Sequence, residues 1–268
     1  RPDNDDYMSK GYVPLREQYD NSVSHALEYY IADFALSRFA DALGKKKDAE
    51  MFYKRSLGYK HYYSKEFGTF RPILPDGTFY SPFNPRQGEN FEPNPGFHEG
   101  SSWNYTFYVP HDVYGLAKLM GGKKPFIDKL QMVFDEGLYD PANEPDIAYA
   151  HLFSYFKGEE WRTQKETQRL LDKYFTTKPD GIPGNDDTGT MSSWAIFNMI
   201  GFYPDCPGLP EYTLTTPVFN KVTIRLDPKW YKENELVIET NRTQPGVLYI
   251  NKVLLNGKKF NKYHITHD

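Results

Sequence analysis

Cysteine is almost missing from this chain of 268 residues: Cys206 is the only one. One cysteine excludes an internal disulfide and a cysteine-based zinc site, and leaves the redox compartment open. No run of about 18 apolar residues occurs, so no membrane-spanning helix is expected. No excess of positive charge occurs either: 32 Lys and Arg stand against 36 Asp and Glu, for a net charge of −4. Without a basic stripe, a nucleic acid is not an expected partner. No internal repeat is visible. Neither Met nor a leader precedes Arg1, as in an excised piece or a processed chain, so the absent leader carries no information about location.

What the chain has in excess is aromatic rings, 17% of residues, with 22 Tyr and 19 Phe. Aromatic faces stack on sugar rings and Tyr hydroxyls remain free to hydrogen-bond. A Tyr-rich core with an exposed rim would use the same composition.

The rest of the chain is organised around the stretch Gly181-Ile182-Pro183-Gly184-Asn185-Asp186-Asp187-Thr188-Gly189, followed by Thr190-Met191-Ser192-Ser193-Trp194. Its glycines let the backbone bend where side chains would clash. A helix over 191–200 then presents unpaired N–H groups to the turn. The two adjacent carboxylates are either caps, with Asp187 or Thr188 at the N-cap, or chemistry.

Before that turn the periodicity is helical. Val23, Ala26, Leu27, Tyr30, Ile31, Phe34 and Ala35 keep the three-four spacing, which predicts a helix over 22–43 between Ser22 and Gly44. A second helix over 46–63 makes an αα-hairpin with it. Further helices are expected over 112–120, 123–135, 146–157 and 160–175, and residues 1–20 read as irregular. After 200 the period switches to two, predicting strands over 221–226, 235–240, 247–250 and 253–255, with a turn at Asn256-Gly257. The fold class is therefore mainly α with a C-terminal β segment, divided as 1–205 and 206–268. The serial αα-hairpins suggest an α/α toroid.

Residues 64–98 carry no period and many Pro and Gly. The interleaved Phe70, Phe79, Tyr80, Phe83 and Phe91 predict an ordered loop that covers something. It runs into Phe97-His98-Glu99-Gly100-Ser101-Ser102-Trp103-Asn104-Tyr105. With Ser101 or Ser102 as a cap, Glu99 falls beside Trp103 and Tyr105. A carboxylate in aromatic surroundings is held toward its protonated form, which suits a general acid; a surface Glu near a helix dipole is the plainer alternative. Asp140-Pro141-Ala142-Asn143-Glu144-Pro145-Asp146 is an oxygen-rich turn. It could hold part of a hard-cation site, or simply end in an Asp146 N-cap.

Together these stretches resemble glycoside hydrolase family 92, the calcium-dependent exo-acting α-mannosidases. The resemblance rests on Gly184–Trp194, Gly201-Phe202-Tyr203-Pro204 and Cys206-Pro207-Gly208. Four more stretches agree in order: Gly11-Tyr12-Val13-Pro14, Glu99-Gly100 with Trp103, Val109-Pro110-His111-Asp112, and Asn143-Glu144-Pro145. It implies part of an (α/α)6 barrel made of serial αα-hairpins, followed by strands of a β-sandwich whose leading half belongs to an N-terminal portion this chain lacks. It implies removal of terminal mannose from N-glycans or mannans with inversion: an acid at Glu99, and a base at Asp187 with Asp186 as the second choice. It also implies a Ca2+ near the mannose hydroxyls, with Asn143 and Glu144 as candidate ligands. Trp103, His111, Asp112, Asn185 and Trp194 are the expected substrate-binding residues, Trp194 being as well explained by packing. The expected partners are a mannose-containing glycan and the N-terminal portion of the same enzyme, in the periplasm or outside the cell. Two other readings are a non-catalytic carbohydrate-binding or structural fragment, and an α/α-barrel glycosidase acting on glucosides. The Asn-Asp-Asp turn argues against the last.

Overall fold

The computed structural model describes residues 2–17, 20–88, 94–244 and 246–268. They form two compact units: Arg1–Leu152 with Cys206–Leu209, and Phe153–Asp205 with Pro210–Asp268. Phe91, one of the aromatics of the long loop, lies outside the described residues. None of the described helices is long and apolar enough to cross a membrane.

In the first unit the irregular start is instead a helix, α1 (Pro2–Lys10). Its run of acids hides any apolar period. Lys10 pairs with Asp6 one turn back at 3.1 Å, and buried Tyr7 donates to Asp33 Oδ2 at 2.5 Å. Helix α2 (Ser22–Ala42) buries Val23, Ala26, Leu27, Tyr30, Ile31 and Phe34, the face the period predicts. Asn21, not Ser22, holds its N-cap position. Gly44, at φ 72°, turns the chain into α3 (Lys46–Ser56), which packs on α2. The expected helix over 46–63 is shorter than its pattern: Leu57–Tyr62 tightens to a 3₁₀ helix that buries Tyr59 and Tyr62.

A small hairpin, β1 (Tyr63–Ser64) with β2 (Thr69–Phe70), leads to α4 (Ser102–Thr106), α5 (Val113–Leu119) and α6 (Lys123–Asp135). The helix expected over 146–157 is two 3₁₀ pieces, Glu144–Asp146 and Tyr149–Tyr155. Tertiary demands override propensity there. Fully buried Tyr149 must both donate to Asn104 O at 2.7 Å and accept from Phe107 N at 3.0 Å. Gly208 has no room for a side chain, since a Cβ would lie 2.8 Å from the Ala35 Cα.

Asp33 and Arg55 tie α2 to α3 in a forked pair at 2.5 and 2.6 Å, with Asp33 almost wholly buried. Removing one partner leaves the other charge uncompensated. Arg55→Met is expected to lower the unfolding free energy by about 3 kcal/mol in urea titration, and a loss under 1 kcal/mol would contradict it.

The second unit holds α7 (Glu160–Tyr174) and α8 (Thr190–Ile200), then the strands. β3 (Phe202–Tyr203), β4 (Glu211–Leu214) and β9 (His264–Thr266) make one antiparallel sheet. β5 (Lys221–Arg225) pairs with β6 (Glu235–Glu239), and β7 (Val253–Leu255) with β8 (Lys258–Phe260) across the Asn256-Gly257 turn. Both turn residues take positive φ, 50° and 76°, as a tight hairpin requires. Residues 247–250, expected as a strand, form none. Side chains hold that segment instead: Gln164 Oε1 accepts from Ile250 N at 2.9 Å, and Thr216 donates to Leu248 O at 2.7 Å.

Candidate active site

Among the described residues, four that are not glycine take positive φ: Glu99 at 48°, Asp186 and Thr188 at 53°, and Asn256 at 50°. Asn256 belongs to its hairpin. The other three fall in the two acidic turns the sequence singles out. Such backbone costs on the order of 1–3 kcal/mol per residue and persists only where its surroundings enforce it.

The enforcement around Glu99 comes from six side chains. Asn143 Nδ2 donates to Glu99 O at 2.6 Å. Ser24 Oγ accepts from His98 N at 2.8 Å, and Tyr105 OH donates to His98 O at 2.6 Å. Asn94 Nδ2 donates to Gly100 O at 3.1 Å. Ser101 and Asn104 close a capping box on α4, so Ser101 is the cap. The Glu99 side chain is 59% exposed. Trp103 and Tyr105 are buried in the core, so they do not enclose Glu99 as the sequence leads one to expect.

Helix α4 also orients a carboxyl that the sequence pattern passes over. Tyr108, just past its end, donates to Glu28 Oε1 at 2.9 Å. Glu28 sits in the polar phase of α2, where nothing in the period marks it. Crowding by protein raises its pKa despite one face open to solvent; the Tyr108 bond opposes the rise and the nearby charge of Glu144 adds to it. Asp146 is wholly buried: Oδ2 accepts from Asn104 and from Asp140 N, Oδ1 has no partner among the described residues, and burial pushes its carboxyl well up. It is a turn-holding acid in the place where a cap was expected.

Asn143 is buried and spends its N–H on Glu99 O, which leaves Oδ1 as an acceptor; the neighbouring Glu144 carboxyl is half-buried. An amide oxygen and a carboxylate are donors a hard cation takes, and they supply part of its six to eight oxygens. Among the described residues no three His, Cys, Asp or Glu side chains converge as a metal site.

His111 and Asp112 both have protein partners. His111 donates from Nε2 to Ser56 O at 3.0 Å, and its ring lies against Phe34 and Tyr59. Asp112 caps α5 through Gly115 N at 3.0 Å and accepts from Tyr59 OH at 2.7 Å. Burial lowers the His111 pKa to about 4. The folded state thus favours neutral imidazole, while an unfolded chain binds the proton near pH 6.5. Its contribution to stability is complete above pH 6.5 and lost as the pH falls through 4. Wild type is expected to lose up to about 3 kcal/mol more than His111→Gln over that window, read from urea midpoints; parallel curves would contradict it. Trp103 carries the Lys129 ammonium over its ring at 5.1 Å and keeps a buried indole N–H without a hydrogen-bond partner among the described residues.

In the second unit, Asp186 does what was expected of Asp187 or Thr188. The N-cap position of α8 is Gly189, at φ 77°, which offers no side chain. The Asp186 carboxylate supplies it, accepting from Ser192 N at 2.9 Å and Ser192 Oγ at 2.6 Å, and these bonds lower its pKa. Asp187 is exposed; Thr190 Oγ1 donates to its backbone oxygen at 2.6 Å, and among the described residues no hydrogen bond engages its carboxylate. Asn185 is exposed as well. Trp194 is buried and stacked on Phe175 at 5.5 Å, a packing role. Two clefts, of about 450 Å³ beside Arg169 and Leu248 and about 250 Å³ beside Tyr7 and Arg55, contain none of the candidate site residues.

The glycosyl hydrolase family 92 catalytic domain matches residues 1–268. An α-mannosidase of that family from Bacteroides thetaiotaomicron, BT3965, solved with mannoimidazole, superposes with a TM-score of 0.89 at 31% identity, over 98% of this chain and 36% of its own. The inverting mannosidase BT2199 of the same organism gives 0.87 at 31% identity, over 99% and 38%. An uncharacterized secreted glycosidase of Arthroderma benhamiae is 26% identical over 98% of this chain and 37% of its own length. The chain thus shares the fold of these structures and spans little more than a third of each relative.

Proposed function

This chain belongs to glycosyl hydrolase family 92, and on that premise we propose that it carries the acid and the base of an exo-acting α-mannosidase that removes terminal mannose from N-glycans or mannans with inversion. The observation that carries the proposal is the left-handed backbone at Glu99 and at Asp186 and Thr188, the two acidic turns. A strained carboxylate turn held by side chains from several elements is pre-organised for chemistry.

Glu99 is the acid. Asn143, Tyr105 and Ser24 fix its backbone while its carboxyl stays open to a substrate. It protonates the glycosidic oxygen as the bond to the anomeric carbon breaks. Asp187 is the base and takes a proton from the water that attacks the opposite face. The engagement of Asp186 with α8 supports this choice, because Asp187 keeps both oxygens for water. Asn185 is the remaining candidate for a sugar contact. Asn143 Oδ1 and the Glu144 carboxylate would hold a Ca2+, which would polarise the mannose hydroxyls. The secreted relative supports action in the periplasm or outside the cell. The share of each relative that the chain spans fits a piece of a longer enzyme, with the rest of that enzyme as partner.

A crystal structure of the full-length protein with a mannose-like inhibitor tests the pairing. Carboxyl groups of Glu99 and Asp187 about 6.5–9.5 Å apart are expected, and a gap near 5 Å would point to retention. The partial span favours one other reading, a sugar-binding or structural piece. That reading expects mannose binding that Glu99→Gln leaves unchanged and no turnover even with the N-terminal portion attached.

A further inference from the structure

Consecutive side chains of extended backbone point to opposite sides. At Glu99 they do not. The φ of 48° turns the chain so that His98 Nε2 lies 3.7 Å from Glu99 Oε1. The ring is aimed by a residue 77 positions earlier: Asn21, at the N-cap position of α2, places its Nδ2 3.1 Å from His98 Nδ1. In this amide orientation Asn21 donates, Nδ1 accepts and the ring proton is assigned to Nε2. That Nε2–H faces the carboxyl of the acid. The His98 backbone is pinned on both sides, its N–H to Ser24 and its carbonyl to Tyr105, so the ring has little freedom beyond its own torsions.

We propose that His98 is a positioning residue for Glu99, held by Asn21 so that its Nε2–H donates to Oε1 of the acid. The proposal rests on Glu99 being the acid. Protonated Glu99 then offers Oε1 as the acceptor to His98 and Oε2–H to the glycosidic oxygen. As the proton leaves Oε2 for the departing sugar, negative charge grows on the carboxylate and the Nε2–H bond strengthens. A donor whose bond tightens as charge develops favours the transition state over the ground state. The 3.7 Å gap is one that a small ring rotation or a bridging water closes.

The test uses the full-length protein and two α-mannosides, one with an alkyl alcohol as leaving group and one with a dinitrophenolate. The alcohol needs a proton to depart and the phenolate does not. His98→Leu is expected to lower kcat on the alkyl mannoside about tenfold and to spare the dinitrophenyl one, as the loss of one bond to a charged group does. His98→Gln, whose Nε2 reaches the same place, should recover most of the loss. Asn21→Leu should reproduce part of it, and serves if His98→Leu does not fold. An equal fall on both substrates, or no rescue by Gln, would overturn the proposal and leave His98 a structural residue. Glu99→Gln in the same assay separates the two levels. If it too fails to discriminate between the substrates, Glu99 is not the acid and the functional reading falls with the proposal.

Discussion

Glu99→Gln is expected to lower turnover of unactivated α-mannosides by about 10⁴-fold, at the upper end of what a general acid contributes. The substitution is nearly isosteric. Asn143 grips the backbone carbonyl of residue 99, not its side chain, so the 2.6 Å bond survives. The capping box of Ser101 and Asn104 is untouched. The melting temperature should therefore stay within a degree or two of wild type, and the whole loss should fall on kcat. Dinitrophenyl mannoside, which departs without a proton, should be hydrolysed at a rate much closer to wild type. Loss of the fold, or an equal loss on both substrates, would take the acid role from Glu99.

Asp187→Asn should lower turnover by about 10³-fold or more on every substrate, because activation of water does not depend on the leaving group. Asp186→Asn should behave differently. Asn tolerates left-handed backbone and still offers an oxygen to Ser192 N. Its effect should appear mainly as a lower melting temperature with a modest change in kcat. The contrast follows from occupancy: Asp186 has both oxygens engaged by Ser192, and Asp187 has neither engaged among the described residues. If Asp186→Asn proves the more damaging to kcat and the less damaging to stability, the two roles are reversed.

Several elements could be read directly from the sequence for physical reasons. Helix α2 has an apolar face over its first four turns, and α6 starts and stops where its period does, at Lys123 and Asp135. Helices α7 and α8 lie within a residue of their expected bounds. Strands β5 and β6 alternate long enough to show, whereas β3, β8 and β9 have two or three residues, too few for a period of two to register. Helix α1 was hidden because, among its described side chains, Tyr7 is the one apolar residue that goes into the core.

The two acidic turns of the candidate site were visible from Gly, Asn and Asp clustering. The grip on Glu99 was not, because Ser24 and Asn143 reach His98 and Glu99 from 74 and 44 positions away. Glu28 and Asn21 were invisible for the same reason: each lies on or beside α2, and its partner is about 80 positions away. His111, expected in the substrate pocket from the family resemblance alone, packs against Phe34 and Tyr59 and bonds the Ser56 carbonyl, contacts that no local pattern announces.

The stereochemistry of the first product tests the central claim most directly. Proton NMR of an α-mannoside treated with the full-length protein reports which anomer of mannose is released before mutarotation. An acid at Glu99 and a base at Asp187, acting through water, predict β-mannose first, with the α anomer growing in later. Release of α-mannose first would mean a covalent intermediate and would contradict the account.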